Sequence, residues 1–250
     1  MAVLLLCGCG QKSETAAAAP AQAVTASAAQ SSTVRPVSTG VTPEQFGAKG
    51  DGIADDLRAL QAAMQQASAS GRPLELTAGA VYRFSSCLGL PSGLTIRGNG
   101  AVLLSDIQYP DLKEDRVAVE LMKDSDDDRA HDVRLENVTF RAADSCQANY
   151  MLRVMLARNV EFVGCTFDCE PNEWGRCAAD LYGGNENIRF EGCVFRQMTS
   201  GASGGIWVRN WTDRVESRNI RFQNCEFYKS GADELLAVWG WGIKSFLLFE

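Results

Sequence analysis

The sequence predicts an all-β domain, a single-stranded parallel β-helix closed at its N-terminal end by one α-helix. Three observations predict it. An eight-residue pattern recurs four times, every copy alternates apolar and polar residues, and every copy carries Asn or Gly at its fifth position. Alternation is the mark of a half-buried strand. Asn and Gly tolerate the left-handed backbone that a tight corner requires.

The 250 residues are 46% hydrophobic and 22% charged, with a net charge of −7. That is ordinary for a folded domain, and it argues against the basic stripe a nucleic-acid surface needs. No nucleic-acid partner is therefore expected. The chain reads as a leader-like segment (1–9), an Ala/Ser-rich tether (10–40) and a β-helix domain (41–250). The opening MAVLLLCGCG resembles a bacterial lipobox. The resemblance implies that Cys9 carries the lipid, that residues 1–8 are removed, and that the protein is anchored to the membrane of a bacterial cell envelope, in the outer membrane or periplasm. Gln11 to Pro36 holds no aromatic residue and only two Val, too little apolar surface to offset chain entropy. No other stretch approaches the ~20 apolar residues of a membrane span.

The domain begins with FGAKGDGIADD, residues 46–56. A phosphate cradle would need its glycines between a strand and a helix of a βαβ unit, and none follows. A calcium loop would need alternating oxygen ligands and a distal Glu, which Asp51, Asp55 and Asp56 do not supply. The remaining role is structural. Leu57, Leu60, Met64 and Ala67 share one helical face, and Asp55 or Asp56 can cap the helix N-terminus. Such a helix covers the exposed end of a solenoid.

Short strands and Gly turns follow, in GRPLELTAGAVYRFSS and LGLPSGLTIRGNGAVLLSD. Then come VRLENVTF from Val133, VEFVGCTF from Val160, IRFEGCVF from Ile188 and IRFQNCEF from Ile220, starting 27, 28 and 32 residues apart. Periods of roughly 20–50 residues mean solenoids or propellers. A third apolar patch trails each copy, giving three short strands per turn with no helix between them. Coils stack about 4.8 Å apart, so Phe140, Phe167, Phe195 and Phe227 form one internal ladder, and Val138, Cys165, Cys193 and Cys225 a second. These cysteines are expected to be small buried hydrophobes in a narrow core, with a metal or redox site as the alternative. Of nine cysteines, Cys169 and Cys177 flank a loop outside that ladder and are the preferred disulfide pair. The last residues, WGWGIKSFLLFE, stop inside an apolar strand pattern, as a fragment of a longer helix would.

FGAKGDGIADDLRALQAAMQQA, the Gly79-Ala80-Val81-Tyr82 strand and LPSGLTIRGNG together resemble the N-terminal signature of the pectate-lyase-like superfamily, in the branch that includes polygalacturonase- and rhamnogalacturonase-related proteins. The same signature occurs in phage tail spikes. The resemblance spans residues 41–250 and implies that the parallel β-helix is right-handed. It implies a polysaccharide partner, hydrolysed as a pectin-like or other uronate-containing glycan. The alternatives are a non-catalytic glycan-binding or surface-structural β-helix, or a lyase. It implies no cofactor for a hydrolase and Ca²⁺ for a lyase.

Gly231-Ala232-Asp233-Glu234 resembles the Gly-Asp-Asp segment of polygalacturonases, where paired acids protonate the leaving oxygen and activate water. Asp233 and Glu234 are thus the candidate catalytic residues, with a solvated turn as the alternative. Asp180 lies two coils back and, by this alignment, about four residues to one side, beyond paired-acid distance. Aligning the third patches at Leu181, Ile206 and Val238 puts Tyr182, Trp207 and Trp239 in one outward row beside Arg209. Stacked aromatics suit sugar faces, and Arg209 suits a uronate carboxylate. An aromatic ladder under a loop is the alternative. The acidic run KDSDDDRAHD reads as a charged surface turn rather than a calcium site. His131 is the only histidine, so no metal site or triad built on several histidines can form in this chain.

Overall fold

A computed structural model describes residues 40–108, 116–121, 128–169, 177–198, 205–210, 216–229, 236–240 and 248–249. In chain order the elements are β1 (Asp51–Asp55), α1 (Leu57–Ser70), β2 (Leu74–Glu75), β3 (Val81–Phe84), β4 (Leu88–Gly89), β5 (Thr95–Arg97), β6 (Val102–Ser105) and β7 (Val117–Leu121). There follow β8 (Ala130–Glu136), β9 (Thr139–Ala142), β10 (Tyr150–Met155), β11 (Ala157–Val163), β12 (Thr166–Asp168), β13 (Cys177–Tyr182) and β14 (Glu186–Glu191). The last are β15 (Val194–Met198), β16 (Ile206–Asn210), β17 (Arg218–Gln223), β18 (Glu226–Lys229), β19 (Leu236–Gly240) and β20 (Leu248–Phe249).

These strands form three parallel sheets. Sheet I runs β2-β5-β8-β11-β14-β17-β20, sheet II β1-β3-β6-β9-β12-β15-β18, and sheet III β4-β7-β10-β13-β16-β19. From β5 onward the chain visits sheets I, II and III in turn, so every circuit adds one strand to each. This is the parallel β-helix expected. The four repeats supply β8–β9, β11–β12, β14–β15 and β17–β18, and the trailing apolar patches supply sheet III.

The corner between sheets I and II falls on the fifth residue of each repeat. Asn137, Gly164, Gly192 and Asn224 have φ of 51°, 61°, 59° and 52°, the left-handed region that residues with a Cβ rarely occupy. The second copy carries Gly for a further reason: a Cβ on Gly164 would sit 2.5 Å from Oδ1 of Asn137 in the coil below.

Inside, Phe140, Phe167, Phe195 and Phe227 occupy facing positions. Their rings stack at 5.0, 4.9 and 5.0 Å between centroids. Phe162, Phe190 and Phe222 of sheet I form a second stack at 4.8 and 4.9 Å, and the two meet edge to face. The cysteine ladder is structural in its contacts. Thiols of Cys165, Cys193 and Cys225 donate to the carbonyls of Leu135, Phe162 and Phe190 on the preceding coil. Hydrogen bonding to Cys165, together with burial, pushes the Cys193 thiol up to about 12.

The disulfide expected between Cys169 and Cys177 is not formed; both are buried thiols. They are core residues, each 4% exposed or less, rather than parts of an external loop. The Cys177 thiol donates to the carbonyls of Ala179 and Gly205 instead.

The N-terminal lid explains the Gly-Asp stretch. Ala59, Leu60, Ala63, Met64 and Ala67 of α1 are buried, and Leu57 packs half-buried against the core. The two adjacent aspartates divide the work. Asp55 accepts the backbone N–H of Leu57. Asp56, 2% exposed, turns back and accepts the N–H groups of Lys49 at 2.7 Å and Gly50 at 3.0 Å. The glycine-rich loop is thus tied to the start of the helix by one carboxylate. Tyr82, buried in the next coil, hydrogen-bonds Glu44 through its hydroxyl. Burial and that carboxylate raise its pKa to about 12.

Candidate functional site

Alternate residues of β7, β10, β13 and β16 project from the outer face of sheet III, and there the register brings ionic and aromatic side chains together. Glu120 faces Arg153, Arg153 faces Asp180, and Asp180 faces Trp207, on four successive strands. One step along, Met155 faces Tyr182 and Tyr182 faces Arg209.

Asp180 is the centre. It is fully buried, and Arg153 is only 8% exposed. Nε of Arg153 donates to Oδ2 of Asp180 at 3.1 Å. Arg209 donates through Nε to Oδ1 and through Nη2 to Oδ2, both at 2.7 Å, the two-pronged geometry that makes Arg–carboxylate pairs strong. Aromatic rings enclose the cations. The Arg209 guanidinium carbon lies 4.9 Å from the ring centroids of both Tyr182 and Trp207. That of Arg153 lies 4.8 Å from Tyr150. Tyr150 meets Trp207 edge to face at 5.9 Å. At the other end of the row, burial and the Glu120 carboxylate push the Cys87 thiol up to about 12.

Tyr182, Trp207 and Arg209 therefore meet in space, but not in the row expected. Aligning Leu181 with Ile206 would set Tyr182 opposite Trp207. The sheet instead pairs Ala179 with Ile206 and Tyr182 with Arg209, a slip of two residues that keeps each side chain on its face. Trp239 stands opposite Arg209 in β19. The row across these strands is Tyr182, Arg209, Trp239, with Trp207 in the adjoining row beside Asp180. Arg209, expected to greet a ligand carboxylate, already holds an internal one.

Tyr150, Arg153 and the role of Asp180 escaped sequence reasoning. The signal that could have found them was the MLRVM segment, which aligns with CAADLY and IWVRN once sheet III is set in register. Asp233, Glu234 and Cys9 lie outside the described residues, Asp233 and Glu234 in the segment leading into β19. The first half of the acidic run KDSDDDRAHD does too; in its second half His131 bonds Asp132 at 2.9 Å. Among the described residues no three or more His, Cys, Asp or Glu are grouped to hold a metal, and no helix is long and apolar enough to cross a membrane.

Three parallel sheets wound into one coil are the architecture of the pectate-lyase-like β-helix proteins. The model of the family described as rhamnogalacturonase A/epimerase, pectate lyase-like, matches residues 41–245, and the chain belongs to that family. No curated protein matches significantly. Among solved structures, the Streptococcus pneumoniae surface protein and adhesin PfbA aligns with a TM-score of 0.62 and 18% identity, over 79% of this chain and 55% of its own. The endo-xylogalacturonan hydrolase of Aspergillus tubingensis aligns with a TM-score of 0.53 and 15% identity, over 79% and 55%. ORF18 of Geobacillus virus E2 aligns with a TM-score of 0.55 and 19% identity, over 76% and 42%. The chain thus spans about half the length of these solved relatives, and at such identities the likeness is one of fold.

Proposed function

We propose that this is a polysaccharide-active β-helix protein whose carbohydrate face is the outer side of sheet III, and that it hydrolyses a uronate-containing, pectin-like glycan with inversion. The observation that carries the reading is the cluster in which Tyr182 and Trp207 flank Arg209 at 4.9 Å, on the sheet whose strand β19 begins two residues after Glu234. Rings of this kind offer flat apolar faces to sugars, with a cation between them. In the reaction one acid protonates the glycosidic oxygen as its bond to the anomeric carbon breaks. The other, as carboxylate, takes a proton from the water that attacks the opposite face. Neighbouring strand residues point to opposite faces, so Asp233 and Glu234 share this task only across a bend.

The experiment is reducing-end release from a panel of pectic and exopolysaccharide substrates by the full-length protein. Asp233→Asn is expected to cut release by about 10²–10⁴-fold if this carboxylate is the acid or base. Unchanged release rejects the role, and unsaturated uronate products would mark a lyase.

One observation favours a second reading, binding without turnover. Asp180 is closed off from solvent and held by two arginines, so it is a structural anion rather than an acid or base for substrate. The solved adhesin PfbA is compatible with that reading. It requires glycan affinity that Trp207→Ala removes, with no reducing ends released by the parent protein.

The anchoring at the envelope is part of the same proposal. A lipid on Cys9 would tether the domain to a bacterial membrane through residues 10–40. Cys9→Ser is expected to move the protein from the detergent phase to the aqueous phase. Unchanged partitioning would count against the anchor.

A further inference from the structure

The outer face of sheet I carries a trough that the reading above does not use. It encloses about 360 Å³ and crosses β8, β11, β14 and β17. Its floor is a column of polar side chains, one per coil: Asp132, Asn159, Asn187 and Asn219. Nδ2 of Asn159 donates to Oδ1 of Asp132 at 2.9 Å, Asn187 to Asn159 at 3.0 Å, and Asn219 to Asn187 at 2.7 Å. All four have φ between 54° and 57°, which turns the chain as it enters sheet I. One wall is a second column, Arg134, Glu161, Arg189 and Arg221, facing one another in register.

We propose that this trough is a second binding groove, which takes an acidic polysaccharide lying along the stack of coils. Three properties point to that class of ligand. First, the donors and acceptors recur at one-coil intervals, about 4.8 Å, and a repeating site fits a repeating, extended polymer. Each ladder amide has two N–H groups and two lone pairs. The column uses one N–H of each Asn and leaves the other, so an N–H is left over at every coil of Asn159, Asn187 and Asn219. Second, the trough offers acceptors as well as donors, in Asp132 and Glu161. A chain of hydroxyls needs both, whereas the phosphates of a nucleic acid only accept, and among the described residues no aromatic ring lines the trough to stack a base. Third, arginines outnumber carboxylates among the lining residues themselves. Three arginines oppose two carboxylates in the lining, on a protein whose net charge is −7. Arg134 is paired with Glu136 and Glu161, and Arg189 with Glu161 and Glu191. Arg221 differs: it is exposed, its Nε donates to Oδ1 of Asn219 at 2.7 Å, and it forms no ion pair with a described carboxylate. Its terminal N–H groups are the natural seat for a ligand carboxylate or sulfate.

Two surface variants test this without disturbing the core. Arg221→Ser removes the cation that no described carboxylate pairs. Asn187→Gly removes one rung while keeping a residue that accepts positive φ. The measurement is calorimetric titration of the full chain with an oligogalacturonate and with its carboxyl-reduced counterpart, at low and high salt. The groove predicts binding of the acidic oligomer that weakens with salt, falls roughly tenfold in each variant, and survives in Trp207→Ala. Equal affinity for the carboxyl-reduced oligomer overturns the acidic class. No binding, or binding indifferent to both variants, overturns the groove. If Trp207→Ala alone abolishes binding, this proposal fails and the sheet III reading stands. If only the two trough variants lose affinity, the outcome is reversed.

Discussion

Replacing Asp180 with Ala is expected to lower the stability of the domain by about 3–5 kcal/mol, the usual cost of removing one partner from a buried ion pair. The carboxylate is fully buried and accepts three hydrogen bonds from two guanidinium groups. Without it, Arg153, itself only 8% exposed, and Arg209 would face each other with no counter-ion between them. Two outcomes separate this from a simple packing defect. Asp180→Asn keeps the volume and an acceptor oxygen but not the charge, and should still cost more than 1 kcal/mol. Replacing Arg153, Asp180 and Arg209 together by apolar residues of similar size should recover most of the loss, because well-packed apolar groups often match or exceed a buried ion network. Denaturant unfolding of the full chain reads all three. A loss below about 1 kcal/mol for Asp180→Ala would mean that the arginines are adequately solvated without it, and that the cluster is no organising centre for sheet III.

The difference in legibility between the two halves of each coil has a physical origin. The corner from sheet I to sheet II is local: one left-handed residue sits between two short amphipathic strands, so Asn137, Gly164, Gly192 and Asn224 mark it in the sequence itself. Stacking then follows, and the Phe ladder lies where the repeats put it. The Gly-Asp lid was legible as a cap for the same reason, although not the division of labour between Asp55 and Asp56, which rests on a side chain folding back over seven residues. Sheet III lacks such a marker. Five of the six residues of β13 are buried, Cys177 through Leu181, so its period of two vanishes and Leu181 looks as good an alignment point as Ala179. The slip of two residues that resulted hid the Arg153–Asp180–Arg209 cluster, whose members are 27 and 29 residues apart in sequence and meet only in the true register. The expected Cys169–Cys177 bridge failed on a related ground, because spacing across a loop says nothing about whether both thiols face the core.

The Phe ladder itself gives the second large effect. Phe167→Ala is expected to destabilise the domain by about 3–5 kcal/mol. The ring is fully buried and sits between Phe140 and Phe195 at 5.0 and 4.9 Å, nearly parallel to both. It also meets Phe162 and Phe190 edge to face at 5.9 and 6.1 Å. Stacked and edge-to-face contacts of this kind add about 0.5–1.5 kcal/mol each beyond burial. The cavity left behind cannot collapse cheaply. The rings above and below are held at the coil spacing by β9, β12 and β15, whose backbones are hydrogen-bonded in register. Phe167→Leu should therefore recover only part of the loss, since it refills volume without restoring the flat contact. Phe227→Ala offers the internal comparison. It stacks on Phe195 at 5.0 Å but is only partly buried, so its cost should be distinctly smaller. Equal losses at positions 167 and 227 would show that burial in the middle of the stack contributes nothing beyond the pairwise ring contact, and the ladder would then not be the element that sets the stability of the coils.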